Sequence, residues 1–201
     1  NTTADENVAV GYNSAYNNTT GTRNISIGAY AYENSDTESD NLAIGYEAMH
    51  TNTAGGTENI AIGNYALDAL SSGDNNVALG RNAGGQITTA GQNVYVGNSA
   101  ASGANVAGDY VTIVGYSAGV LNQVDSTVAV GSYAAAANTT GANITAIGRN
   151  CLDANTTGSE NTAVGSGALG ANTTGSRNLA IGVGAYNSSD TENDNCAVGY
   201  N

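Results

Sequence analysis

The chain has 201 residues, with 28 glycines and no proline, tryptophan or phenylalanine, and Asn, Thr, Ser and Ala fill most of the remainder. Seventeen acids against Arg23, Arg81, Arg149 and Arg177 leave a formal net charge of −13. Such a chain lacks the basic stripe that nucleic acid or an anionic bilayer requires, and no apolar run reaches the ~18 residues of a membrane span.

An aliphatic-plus-glycine anchor recurs at Gly11, Gly28, Gly45, Gly63, Gly80, Gly97, Gly115, Gly131, Gly148, Gly165, Gly182 and Gly199, at intervals of 16 to 18 residues. Regular self-similarity of this kind marks a stacked repeat, here of twelve rungs. Each anchor glycine follows Val, Ile or Leu, as at Val10, Ile27 and Ile44, and a second aliphatic precedes that one by two residues, as at Val8, Ile25 and Leu42. A small residue, usually Ala, sits between them, and the alternation predicts a short strand with one face buried and the aliphatics in the core. Three residues after the anchor comes another small column (Ala31, Ala48, Ala66), followed by apolar side chains such as Tyr32, Met49, Leu67, Leu152 and Leu169. This reads as a second extended side packed on the first.

The rest of a rung is a turn, spelled NTTG at Asn18 to Gly21, Asn138 to Gly141, Asn155 to Gly158 and Asn172 to Gly175. Asn and Gly tolerate positive φ, and hydroxyls close local backbone bonds. The β-branched anchors and frequent glycines oppose helix. The expected fold is an all-β parallel β-solenoid, or β-roll, of twelve ~17-residue rungs, a rod of roughly 55 to 60 Å at the inter-strand spacing. It reads as one domain over residues 1–201. Residues 1–47 align without a gap to 155–201 with 27 identities, as a window on a longer fibre would.

Asn7, Asn24, Asn41, Asn59, Asn76, Asn93, Asn161, Asn178 and Asn195 each stand four residues before an anchor glycine, where stacking predicts an amide ladder. Asp36, Glu38 and Asp40, and again Asp190, Glu192 and Asp194, replace the NTTG turn; alternate carboxylates on an extended segment are candidate calcium ligands, against the plainer reading of a solvated acidic turn. His50 has no partner at ligand spacing and reads as solvated. Gly115-Tyr116-Ser117-Ala118-Gly119 matches a nucleophile elbow, but the repeat itself accounts for the match and no histidine lies near, so no enzyme is expected. Cys151 and Cys196 replace core residues three rungs apart, too far for a disulfide, and read as buried free thiols. Asn18, Asn138, Asn155 and Asn172 open Asn-x-Thr triplets and are candidate glycosylation sites on the turns. Thr pairs beginning at Thr2, Thr19, Thr88, Thr139, Thr156 and Thr173 share one column, the pattern of an ice-binding solenoid, though Asp36 and Ser71 interrupt it.

The anchor (NVAVG, NLAIG, NTAVG) resembles the head repeat of YadA-like trimeric autotransporter adhesins. With NTTG and the following Ala-Leu, in AVGSGALGANTTGSRNLAIG from Ala163 to Gly182, it is similar to repeats of phage tail-fibre-like proteins. The resemblance covers the whole chain and carries no catalytic residue. The rung is longer than the roughly 14 residues usual in the adhesin heads. The resemblance implies an extracellular fibre at a cell or virion surface, self-associated as a trimer or end-to-end filament, that attaches to a surface glycan or protein receptor. Ice binding through the Thr ladders is the alternative function.

Overall fold

Twelve three-residue strands carry the architecture: β1 (Val8–Val10), β2 (Ile25–Ile27), β3 (Leu42–Ile44), β4 (Ile60–Ile62), β5 (Val77–Leu79), β6 (Val94–Val96), β7 (Thr112–Val114), β8 (Val128–Val130), β9 (Thr145–Ile147), β10 (Thr162–Val164), β11 (Leu179–Ile181) and β12 (Cys196–Val198). They form one sheet in sequence order, and every pairing is parallel. The chain is therefore a parallel β-solenoid. The computed structural model describes residues 3–52, 55–103, 108–188 and 190–201.

The anchor glycines lock the register. Gly28 has φ of 136°, and a β-carbon built on it would lie 2.3 Å from the carbonyl oxygen of Gly45. The same close approach repeats upward, at 2.4 Å between Gly63 and Gly80 and again between Gly148 and Gly165. Only glycine lets one rung's backbone lie this close on the next in this conformation. The stacked glycines align the strands on either side, so Ile25 meets Leu42, Ser26 meets Ala43 and Ile27 meets Ile44.

Strand orientation is the reverse of the expected one. The central residue of the triplet points inward: Ala43, Ala61, Ala78, Ala129, Ala146, Ala163 and Ala180 are fully buried. The flanking aliphatics point outward, and Val10, Ile25, Ile27, Ile62, Ile147 and Ile181 are exposed. A rung of about 17 residues encloses little width, and methyl-sized side chains fill it from the strand side. The larger volume comes from across the rung, where Tyr32, Met49, Leu67, Leu152 and Leu169 are buried beneath the second small column of Ala31, Ala48 and Ala66. Where β6 and β7 place Tyr95 and Ile113 inside, the facing positions are the glycines Gly84 and Gly119, whose added β-carbons would meet those very side chains.

The second side of the rung is no strand either. It is a run of turns in which residues two and four positions after the anchor take left-handed backbone, as Tyr30 and Tyr32, Glu47 and Met49, or Tyr65 and Leu67 do. A third left-handed residue stands five positions before each anchor: Glu6, Arg23, Asp40, Glu58 and their successors. All three columns bond between rungs: Arg23 N–H donates to Asp5 O at 3.1 Å and Asp40 N–H to Thr22 O at 3.0 Å. Tyr30 N–H donates to Tyr12 O one rung back at 2.8 Å, and Tyr32 N–H to Ala48 O one rung on at 2.9 Å. Each left-handed non-glycine residue carries roughly 1 kcal/mol of strain, which the ladder offsets. Glu58→Gly at φ 59° on the exposed edge is therefore expected to stabilise the rod by about 1 kcal/mol, read as a rise in Tm. A fall would contradict the strained-backbone account.

Candidate functional site

The inside-out strands create the most distinctive surface of the molecule. Two outward columns run the length of the sheet, one beginning at Val8 and ending at Cys196, the other beginning at Val10 and ending at Val198. They contain Val, Ile, Leu, three threonines (Thr112, Thr145 and Thr162) and Cys196, and no charged residue. Three residues by twelve strands is a face of roughly 500 Å², at the upper end of what a monomer ordinarily leaves in water.

Tyrosines border this face. Tyr12, Tyr30, Tyr46 and Tyr65 stack edge-to-face in consecutive rungs, with ring centroids 5.4, 5.9 and 5.4 Å apart, and Tyr116 and Tyr133 repeat the pair at 5.4 Å. They sit alternately one and two residues after the anchor glycine, which places each ring against the edge of the next. A hydrogen bond to the Glu47 carboxylate, with the burial and charge around it, pushes the Tyr46 phenol up to about 12.

Two columns of asparagine run through the turn side. In the first, each side-chain oxygen accepts the backbone N–H of the next rung: Asn41 N–H to Asn24 Oδ1, Asn59 to Asn41 and Asn76 to Asn59, all at 2.9 Å. The Nδ2 groups mostly reach turn carbonyls, as from Asn24 to Glu38 O and from Asn59 to Gly73 O at 2.8 Å. Amide-to-amide bonds occur here between Asn76 and Asn59 and between Asn195 and Asn178, so this ladder is chiefly side chain to backbone. Val111, Thr127 and Ile144 interrupt it in the middle rungs, all three buried. Asn59→Ala would orphan the Asn76 N–H and the Gly73 carbonyl in a buried site, and a loss of about 3 kcal/mol is expected, roughly 10 °C in Tm.

The second column is an amide ladder proper. Asn138, Asn155 and Asn172 each donate from Nδ2 to the Oδ1 one rung back, at 2.7, 2.9 and 2.9 Å, and also close their own turns on Gly141, Gly158 and Gly175. Asn18 closes its turn on Gly21 in the same way. These four are the candidate glycosylation sites, and all are buried, so a glycan does not fit on them in the folded rung. The triplet's position in a turn suggested exposure. The amide instead fills the turn's interior.

The acidic boxes do not form an oxygen cage. Aligned by rung, Ser35 and Glu38 replace Asn18 and Gly21, and the Glu38 carboxylate takes over the task of closing the turn. Glu38 is buried, and it accepts the backbone N–H groups of Asp36, Thr37 and Gly55 at 2.8, 3.0 and 3.0 Å. Glu192 accepts those of Asp190 and Thr191 alike. Asp40 and Asp194 lie on the outer edge in bidentate pairs with Arg23 and Arg177, which hold both carboxyls below their ordinary range. Asp36 and Asp190 accept the hydroxyls of Thr19 and Thr173. The carboxylates diverge into three separate tasks, and no cluster of His, Cys, Asp and Glu fit for a metal occurs among the described residues.

The remaining candidates are placed as follows. His50 Nε2 lies 3.0 Å from Glu33 Oε2 in the rung below and 3.3 Å from Asn34 Nδ2, so it is a partnered, half-buried side chain and not a freely solvated one. Ser117 occupies a left-handed turn position with no helix behind it, unlike an elbow serine. Cys151 is a buried thiol that burial pushes up to about 12, whereas Cys196, expected in the core, is exposed because its column faces outward. Thr139 and Thr156 donate their hydroxyls within the ladder, to Thr156 O and Thr173 O, and the second threonines Thr140 and Thr157 are exposed. Thr2 lies outside the described residues. Comparison with known proteins finds no matching family model, no matching curated protein and no matching solved structure.

Proposed function

We propose that the chain is a structural and adhesive segment of an extracellular fibre, at a cell or virion surface, that works by recognition and assembly and not by catalysis. The observation that carries this reading is the uncharged aliphatic face running the whole length of the rod. A chain of net charge −13 repels its own copies everywhere except on such a face, so that is where copies meet. Covering it along twelve rungs removes about 500 Å² per chain from water, and two such faces together reach the ~1,000 Å² at which specific interfaces begin. A trimer around this face is the arrangement that the resemblance to adhesin heads implies, and it leaves the turns outward as the contact surface. The test is attachment of the fluorescently labelled protein to a panel of bacterial and animal cells. Saturable binding to at least one cell type is expected, and binding no greater than that of serum albumin on all of them would contradict the reading.

Ice binding keeps one observation in its favour, the stacked exposed threonines Thr140, Thr157 and Thr174. Thermal hysteresis at micromolar protein would move the assignment to it.

A further inference from the structure

The turn side carries a groove of about 450 Å³ lined by Arg149, Asn150, Asp153, Ser166, Gly167, Gly170, Ala171 and Asn187. Two missing side chains open it. Gly167 stands in the left-handed column filled by Tyr30, Tyr65, Tyr133 or Asn150 in other rungs, and a β-carbon there would meet nothing within 4 Å. Gly170 stands in the column filled by Glu33, His50, Asp68 and Asp153 below and Asn187 above. A β-carbon on Gly170 would lie 2.6 Å from Asn187 Oδ1, 3.1 Å from the Gly167 carbonyl oxygen and 3.4 Å from Asp153 Oδ1, so three acceptor oxygens converge over the position that its side chain leaves open.

Arg149 forms one wall. Arg23 and Arg177 are each tied to an aspartate of the next rung, but no carboxylate among the described residues lies within ion-pair distance of Arg149. The groove thus offers guanidinium donors, the hydroxyl of Ser166 and three converging acceptors, with the Asn150 side chain bonded to the Asp153 carboxylate and holding it in place, over a narrow floor of Gly167, Gly170 and Ala171. Donors and acceptors of both kinds around a floor of small residues match a polyol, whose hydroxyls both donate and accept. The cavity is of the size that holds small ligands.

We propose that this groove is a saccharide subsite for a neutral, hydroxyl-rich sugar. Asn187, Asp153 and the Gly167 carbonyl accept from its hydroxyls, Arg149 donates to its oxygens, and the side-chain-free glycine floor leaves room for the ring. Neutrality follows from the wall charges, one arginine against one aspartate, and from a net charge of −13 that repels anions at a distance. The proposal rests on the adhesive reading and names the ligand class for it.

The experiment uses the full chain and a printed panel of gluco-, manno-, galacto- and N-acetylglucosamine oligosaccharides beside sialylated and uronate-bearing ones. Two variants accompany the wild type. Gly167→Tyr fills the groove with a residue that three other rungs accept at the same backbone conformation, and Arg149→Gln removes the donor wall while keeping its length. Circular dichroism and Tm check that both remain folded. Binding of the wild type to a neutral saccharide, lowered roughly tenfold or more in both variants, is the expected result. Binding confined to sialylated or uronate sugars, neutral binding unchanged in the variants, or no binding across the panel would each overturn the proposal. Cell attachment scored with the same proteins separates the two readings. Attachment without saccharide binding removes the groove and keeps the adhesive fibre, whereas saccharide binding without attachment does the reverse.

Discussion

Gly148→Ala is expected to destabilise the rod severely, by more than about 10 °C in Tm. The alanine β-carbon would stand 2.4 Å from the carbonyl oxygen of Gly165, on backbone held at φ 141°. Strain at that φ costs roughly 1–3 kcal/mol, and forcing the rungs apart adds a similar amount. The clash falls on the backbone of Gly165 and Ser166, so no side-chain rotamer relieves it. A loss of about 3–5 kcal/mol, or more than 10 °C in Tm, is the expected outcome by thermal melting. Gly167→Ala is the control. Its β-carbon meets nothing within 4 Å and its φ is 67°, so strain of about 1 kcal/mol is all it carries. Equal losses in the two variants would mean that the stacked glycines do not set the register.

The second large effect concerns assembly and leaves the fold in place. Ile62 and Ile147 are 37% and 40% exposed on the aliphatic face, and neither fills the interior. The double substitution Ile62→Asp and Ile147→Asp is expected to leave the β-type circular dichroism intact and to dissociate the copies. Strand propensity costs the single chain about 1 kcal/mol per site, whereas two unpaired carboxylates in the proposed apolar interface would cost several. Unfolding of the double variant would show instead that these aliphatics belong to the interior of the chain.

The difference between inward and outward aliphatics marks how far the sequence could be read. The anchor glycines, twelve rungs and parallel stacking were legible because each depends on spacing alone. Which way Val8-Ala9-Val10 faces was not, since a period of two looks identical from either side of a strand. The interior width decides it, and that width depends on how the rung closes. The same inversion moved Cys196 from core to surface. The second side could not be recognised as turns, because Tyr, Leu, Met and Glu in left-handed backbone carry no local signal. Asn18 and Glu38 misled in a related way. Each looks like an exposed polar turn residue, yet each closes its turn from within, by an amide in one rung and a carboxylate in the next. The exchange of Asn-x-x-Gly for Ser-x-x-Glu has a physical meaning only once the two turns lie on top of each other. The groove at Gly167 and Gly170 was invisible for a similar reason, since it consists of side chains missing from columns that other rungs fill.

The most direct test of the account is the mass of the wild-type chain in solution, measured by sedimentation equilibrium at micromolar concentration and physiological salt. The aliphatic face running along all twelve strands predicts a defined multiple of the single-chain mass, held as salt is raised because the contact is apolar. A single-chain mass across that range would contradict it.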